Sequence, residues 1–341
     1  MADGAAAAPG MTGGLRFVPS PETFTVEEIP AYLPSGEGTH LYVWIEKRGL
    51  TTLDVIARVA AALGVNGRDV GYAGLKDRHA LTRQWLSVPG VDPERALAVP
   101  GTAEWTILQA IRHPHKLRLG HLRGNRFEVR LAGATGEAER RALEAAVARI
   151  AASGLPNRFG AQRFGSGGDN AAAGLALLRG QRRERDRRRR RLLLSALQSA
   201  VFNQALALRA AGGPLTRLRA GDVLQKTDSG GLFVTTDLAV DQARVDRGEV
   251  VPTGPLPGGR EIEPPPDSEA RALEDEAIAA VGATREDFTR AGRELPGARR
   301  PVIVRAQDLA LHLDPQPRLT FSLPAGAYAT VLVDAVLADG V

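Results

Sequence analysis

The 341 residues carry 44 Lys and Arg against 39 Asp and Glu, a formal net charge of +5, with 43% hydrophobic residues and no cysteine. That length accommodates two domains, and the lack of cysteine excludes disulfides, thiolate-held zinc and thiol nucleophiles. No apolar run approaches the ~18 residues needed to cross a bilayer, and no basic-then-apolar leader pattern is present, so a soluble, cytoplasmic protein without a membrane partner is expected.

Met1 to Gly14 is rich in Ala and Gly and lacks periodicity, so a disordered tail over residues 1–15 is expected. Alternation at Phe24–Val26 and Leu41–Val43–Ile45, with turn residues Pro34, Gly36 and Gly38 between, predicts strands. Leu53, Ile56, Val59, Ala60 and Leu63 recur at helical spacing, predicting a helix from Thr51 to Leu63 with Thr52 as N-cap and Gly64 as terminator. Strands are expected at Gln84–Val88, Trp105–Ile111 and Arg126–Leu131, then an amphipathic helix over Gly136–Ser153.

The segment from Asn157 to Gly165 is too rich in glycine for a regular element and reads as a tight junction between domains, with a backbone nest for a phosphate as the other reading. Leu192–Ala210 is predicted helical, Gly221–Val234 a hairpin turning at Ser229–Gly231, Val251–Pro266 a long loop and Ser268–Val281 a helix. Strands return at Val302–Val304, Ala310–Leu313 and Leu319–Leu323, followed by a helix over Ala327–Leu337.

Eight arginines lie between Arg182 and Arg191 with only Glu184 and Asp186 among them. This stretch nets +6, so the rest of the chain nets −1. Clustered positive charge is what a phosphate-rich partner requires, because each neutralised phosphate releases counterions. Arg187, Arg188, Arg189, Arg190 and Arg191 are therefore candidates for RNA phosphate contact; a solvated helix start explains the same run. His113 and His115, with His121 further on, match no metal-ligand spacing, so a polar loop and no metal are expected.

Residues Gly71 to Trp85 hold the densest chemistry, with Asp77 between Lys76 and Arg78 in a glycine-preceded turn. Nearby cations favour an ionised carboxylate, which can act as nucleophile or base without a cofactor. Only four of the basic residues are lysines, Lys47, Lys76, Lys116 and Lys226, so a lysine beside Asp77 is a hint of a chemical requirement. A second constellation is Gly124-Asn125-Arg126-Phe127, where a phenyl could stack on a base and an amide could donate and accept; the alternative is that Phe127 belongs to the core.

The succession Ala-Gly-Leu-Lys-Asp-Arg-His-Ala-Leu-Thr-Arg-Gln-Trp (73–85), Gly-Asn-Arg-Phe (124–127) and Pro-Asn-Arg-Phe-Gly-Ala-Gln-Arg-Phe-Gly (156–165) resembles the TruD family of tRNA pseudouridine synthases. Later blocks at Ser195–Gln204, Gly221–Leu224, Leu295–Pro301 and Leu323–Gly326 extend the resemblance from about Phe17 to the C-terminus. It implies an α+β fold: a pseudouridine-synthase catalytic domain with a mixed, mainly antiparallel sheet, over residues 16–156 and 305–341, interrupted by an α/β insertion domain over 157–304. By motif position it implies Asp77 as the catalytic residue, Phe127 stacked on the target uracil, Asn125 helping to order the active site, and local support from Lys76 and Gln84. The chain departs from the family pattern at Arg158, where an aromatic residue is common.

The implied substrate is tRNA, at the uridine of position 13, with no protein partner and a monomeric enzyme. Breaking N1–C1′ and forming C5–C1′ changes no oxidation state, so no cofactor is expected. Asp77 could attack covalently or remove a ribose proton; both routes use the same ionised carboxylate. Two other readings stand beside this one. One is a non-catalytic RNA-binding or assembly protein on the same fold; the other is a glycosidic hydrolase, which would need a second positioned acid.

Overall fold

A computed structural model describes residues 14–133, 136–165 and 167–338, so most of the expected N-terminal tail lies outside the described residues. The chain forms two compact units: one runs to Ser153 and resumes at Arg305, and the other is Gly154–Val304.

The first unit contains β1 (Phe24–Pro30), β2 (His40–Arg48), α1 (Thr52–Leu63), β3 (Gly71–Tyr72), β4 (Leu81–Pro89), α2 (Pro93–Leu97), β5 (Trp105–His113), β6 (Leu122–Arg130) and α3 (Glu137–Ser153). The second contains β7 (Leu155–Pro156), α4 (Asn170–Leu178), α5 (Arg187–Ala211), β8 (Val223–Lys226), β9 (Leu232–Val234), α6 (Leu238–Asp246), β10 (Val250–Leu256), α7 (Glu269–Ala280), α8 (Arg285–Ala291), β11 (Ala298–Pro301) and β12 (Ile303–Val304). The chain then returns to the first unit with β13 (Gln307–His312), β14 (Arg318–Pro324) and α9 (Ala329–Ala338).

Strand order in the first unit is β13-β14-β6-β1-β4-β2-β5, with β3 paired to β4. Only β1 and β4 run parallel among these pairs, so the sheet is mixed and mainly antiparallel, as the α+β reading requires. Strand alternation decides what each face holds. On one face Leu41, Val43, Ile45, Leu86 and Val88 pack against Val55, Ile56, Val59 and Leu63 of α1. On the other, Tyr42 and Trp85 join Ala73 and Leu117.

The expected helix at Thr51 forms one residue away from its expected cap. Thr51, not Thr52, is the N-cap: its hydroxyl accepts from Asp54 N at 3.2 Å, and Asp54 Oδ2 accepts from Thr51 N at 3.0 Å. Thr52 is buried and its hydroxyl is free for another task. Gly64 ends the helix at φ 67°, a left-handed conformation that a side chain would strain.

In the second unit the antiparallel order is β11-β10-β8-β9. The sequence places a loop at Val251–Pro266, but β10 is a strand despite Pro252, Gly254 and Pro255. Its partners divide its length: β8 pairs with Val250–Pro252 and β11 with Thr253–Leu256, so neither proline has to serve a full ladder on both sides. Likewise α5 starts at Arg187 rather than Leu192. Asp186 caps it, accepting from Arg188 N at 2.8 Å and Arg189 N at 3.4 Å, so the arginines form its first turns. Helices α4 and α6 have no counterpart in the sequence reading, because short Ala-rich or mixed segments give weak periodicity.

Candidate active site

The Asp77 loop is fixed at nearly every residue. Gly74 O accepts from Gln84 Nε2 at 3.1 Å. Gln84 Oε1 in turn accepts from Thr52 Oγ1 at 3.0 Å, and Thr52 Oγ1 accepts from Lys76 N at 2.8 Å. The Thr52 hydroxyl, spared from capping, thus ties the start of α1 to β4 and to the loop. Arg78 Nε donates to Gly49 O at 3.2 Å.

Two buried lysines anchor this loop, one within it and one from β2. Lys76 Nζ is 2.8 Å from Glu28 Oε2, and both side chains are buried, at 3% and 1% exposure. Glu28 Oε1 also accepts from Trp85 N at 3.3 Å. Burial pushes the Glu28 carboxyl above its ordinary range, and the Lys76 charge and hydrogen bonds oppose that rise. Lys47 is fully buried, and its ammonium donates to Leu50 O at 2.7 Å and to Asp77 O at 2.8 Å. Burial pushes Lys47 down to about 8, with the Asp77 charge acting to hold the proton on.

This arrangement corrects the sequence account of the charges around Asp77. The ammonium of Lys76 is committed to Glu28, and Arg78 turns to Gly49. Lys47, from a strand 30 residues upstream, is the buried cation bonded to the Asp77 main chain. Its signal was present in the strand phase: Lys47 shares the alternation of Val43 and Ile45, the residues that build the apolar face.

Asp77 itself is exposed, while Lys76, Gln84 and Thr52 are buried. The register puts Phe321, Phe127, Val26, Thr82 and Lys47 side by side across β14, β6, β1, β4 and β2. Directly opposed residues share a face, so Phe127 lies on the face over which Lys47 holds Asp77. Three strand spacings separate Phe127 from Lys47, about 14 Å between main chains, which is the scale of a nucleotide.

Phe127 is 5% exposed. Its ring lies 6.0 Å from Phe24 at an 8° interplanar angle and 5.2 Å from Phe321 at 28°, forming a phenyl row along the sheet. Asn125, two residues earlier on the same face, pairs across with Glu28 and Leu323. Asn125 Oδ1 and the Thr82 hydroxyl are buried without a hydrogen-bond partner among the described residues. Buried polar atoms are normally satisfied, so these two are unmet polar atoms on the sheet face that carries Lys47. Sequence alone does not single out Lys47, Thr52 or Thr82 beside Asp77, and it offers Glu28 only as an acid with no spacing that pairs it with Asp77.

The arginine candidates sit in the second unit. Arg187, Arg188, Arg189 and Arg191 are exposed; Arg190 is ion-paired with Glu294, and Arg189 with Glu184 at 3.4 Å. Internal acids thus offset part of the run's charge. No group of His, Cys, Asp or Glu among the described residues is arranged to hold a metal ion, and no described helix is long and apolar enough to cross a membrane.

Removing one member of a buried ion pair strands the other charge. Glu28→Gln should therefore lower unfolding stability by about 3–5 kcal/mol, read from urea denaturation; a loss under about 1 kcal/mol would show that the pair contributes little.

The family model described as tRNA pseudouridine synthase D (TruD) matches residues 5–186 and 183–336. A curated relative from Anaeromyxobacter sp. (strain Fw109-5), named tRNA pseudouridine synthase D, is 48% identical over 97% of this chain and 94% of its own length. One from Thermus thermophilus, with the same name, is 41% identical over 96% and 90%. A solved Methanosarcina mazei chain, described as a candidate tRNA pseudouridine synthase D, superposes with a TM-score of 0.76 at 22% identity, covering 96% of this chain and 94% of that one. The last comparison supports the fold, and the family match and curated relatives establish the wider kinship: this chain belongs to the TruD family of tRNA pseudouridine synthases.

Proposed function

We propose that this protein isomerises uridine in tRNA to pseudouridine with Asp77 as its catalytic carboxylate, acting in the cytoplasm where tRNA matures. The family match and the curated relatives support the reaction class. The observation that carries the residue assignment is the Asp77 loop, pinned by buried bonds with Asp77 itself left exposed, its main chain bonded to Lys47 on the sheet face that Asn125 and Phe127 share. A rigidly placed charge at the reacting centre costs no reorganisation during the reaction.

The work divides among the residues by their surroundings. Asp77 delivers the charge, by attack or by proton abstraction. Lys47 supplies a nearby positive charge and fixes the main chain of the residue that reacts. Lys76 and Gln84 act through the loop, since their polar atoms are already bonded to Glu28, Thr52 and Gly74. Asn125 Oδ1 is available to accept from an N–H on the uracil edge, and the rim of Phe127 supplies apolar contact for a base drawn out of its stack. The flipped uridine is taken to be that of tRNA position 13, on the family resemblance.

Asp77→Asn should reduce tritium release from C5-labelled uridine in tRNA by about 10³-fold or more while leaving tRNA affinity nearly unchanged; substantial turnover by this variant would remove Asp77 from its role. The pH dependence has a definite sign. Burial disfavours the charged form of Lys47, so its proton is present below about pH 8 and leaves as the pH rises through that value. The single-turnover rate should therefore fall above about pH 8 and hold its plateau to higher pH in Lys47→Arg, whose guanidinium stays charged. A wild-type rate that is flat to about pH 9.5 would contradict this dependence.

A further inference from the structure

The connection between β5 and β6, together with the strand ends that flank it, carries a second concentration of positive charge, in the same unit as Asp77. Residues 112–123 include Arg112, Lys116, Arg118 and Arg123, three of the chain's six histidines, and no acid. Arg112 is paired with Asp92 at 2.5 Å, and Lys116 Nζ donates to Arg68 O at 3.2 Å. Arg118 and Arg123 are exposed, and their side chains have no ion pair or hydrogen bond among the described residues. Leu119, also exposed, lies between them.

This loop is anchored as firmly as the one bearing Asp77. Leu117 is buried at 4% exposure, and its N donates to Ser87 Oγ at 2.9 Å. Gly71 must be glycine for that approach, since a Cβ there would meet Leu117 O at 2.3 Å. Gly120 N donates to Ala73 O at 2.8 Å. Tyr32 shares a 2.7 Å hydrogen bond with His121 Nδ1, and its ring lies 5.2 Å from His113. Burial lowers the basicity of His40 and His113, and the neighbouring Lys116 and His115 add to the effect at His40, a sign of positive local potential.

A mobile loop could spread four cations through solvent, whereas an anchored one keeps their mutual repulsion, which a polyanion relieves. The anchors also connect this loop to both parts of the site. It leads directly into β6, which bears Asn125 and Phe127, and it bonds to Ala73, four residues before Asp77.

We propose that the 112–123 segment is an RNA-docking surface that holds the phosphate backbone of the substrate through Arg118, in the β5–β6 connection, and Arg123, at the start of β6, close to the residues that meet the target base. The proposal rests on the tRNA reading above for the identity of the polyanion, and the test separates the two. Full-length wild type and Arg118→Gln/Arg123→Gln are titrated with a tRNA transcript across a salt series, alongside single-turnover tritium release at saturating tRNA. The double variant should bind more weakly, with the slope of log affinity against log salt reduced by about 2. Its single-turnover rate and melting temperature should match wild type. An unchanged affinity and slope in the variant would overturn the docking surface even if wild type modifies tRNA normally. Absence of tritium release from wild type would instead count against the catalytic reading, with the salt slope still deciding whether the loop holds RNA.

Discussion

An ammonium ion out of contact with water is costly unless its donors are matched, and Lys47 is fully buried. Two of its three donors end on carbonyls, those of Leu50 and Asp77. The second bond joins the end of strand β2 to the main chain of Asp77, whose side chain stays exposed, so the position of Asp77 follows from a bond made beneath the surface. The Lys76–Glu28 pair does the same one residue earlier, and Thr52 completes the arrangement through Lys76 N and Gln84. Buried ionic contacts of this kind contribute little to net stability, but they make displacement of either partner expensive. Rigidity at one loop is what a carboxylate-dependent isomerisation requires.

The strands, the helix after Thr51 and the return of sheet after residue 304 were legible because period-two and helical alternation is a local property. Asp77, Asn125 and Phe127 were legible as a motif. What escaped the sequence was long-range: nothing local connects Lys47 to residue 77 or Glu28 to residue 76, since both contacts cross the sheet. Even so, the phase of β2 held a trace of the answer, a lysine on the side of Val43 and Ile45 in a chain with only four lysines. The helix start was misplaced by one residue for a different reason. Thr51 and Thr52 are chemically equivalent as caps, and only the partners Asp54 and Gln84 decide which hydroxyl goes where. Strand β10 was missed because proline and glycine usually signal a loop, a rule that fails when two neighbours each use half of a strand.

Charge is similarly divided. The densest basic run in the sequence, Arg187–Arg191, begins a helix in the second unit and spends part of its charge on Glu184 and Glu294. The sparser 112–123 segment retains its unpaired arginines on a fixed frame beside the strand of Asn125 and Phe127. Density in sequence and availability in space are different quantities, and a phosphate responds to the second.

The central claim is that the buried ammonium positions Asp77 for chemistry rather than stabilising the fold. Lys47→Met tests it most directly, because methionine fills the space with neither charge nor donors. Removing the ammonium relieves the cost of burying a charge but leaves the Leu50 and Asp77 carbonyls without their donor, two opposed effects on stability, while a loosened catalytic group loses about 10²-fold in rate. The account predicts a variant that remains folded at the assay temperature and binds tRNA with unchanged affinity, with a single-turnover rate lower by about that factor. A variant that isomerises uridine at the wild-type rate would contradict it.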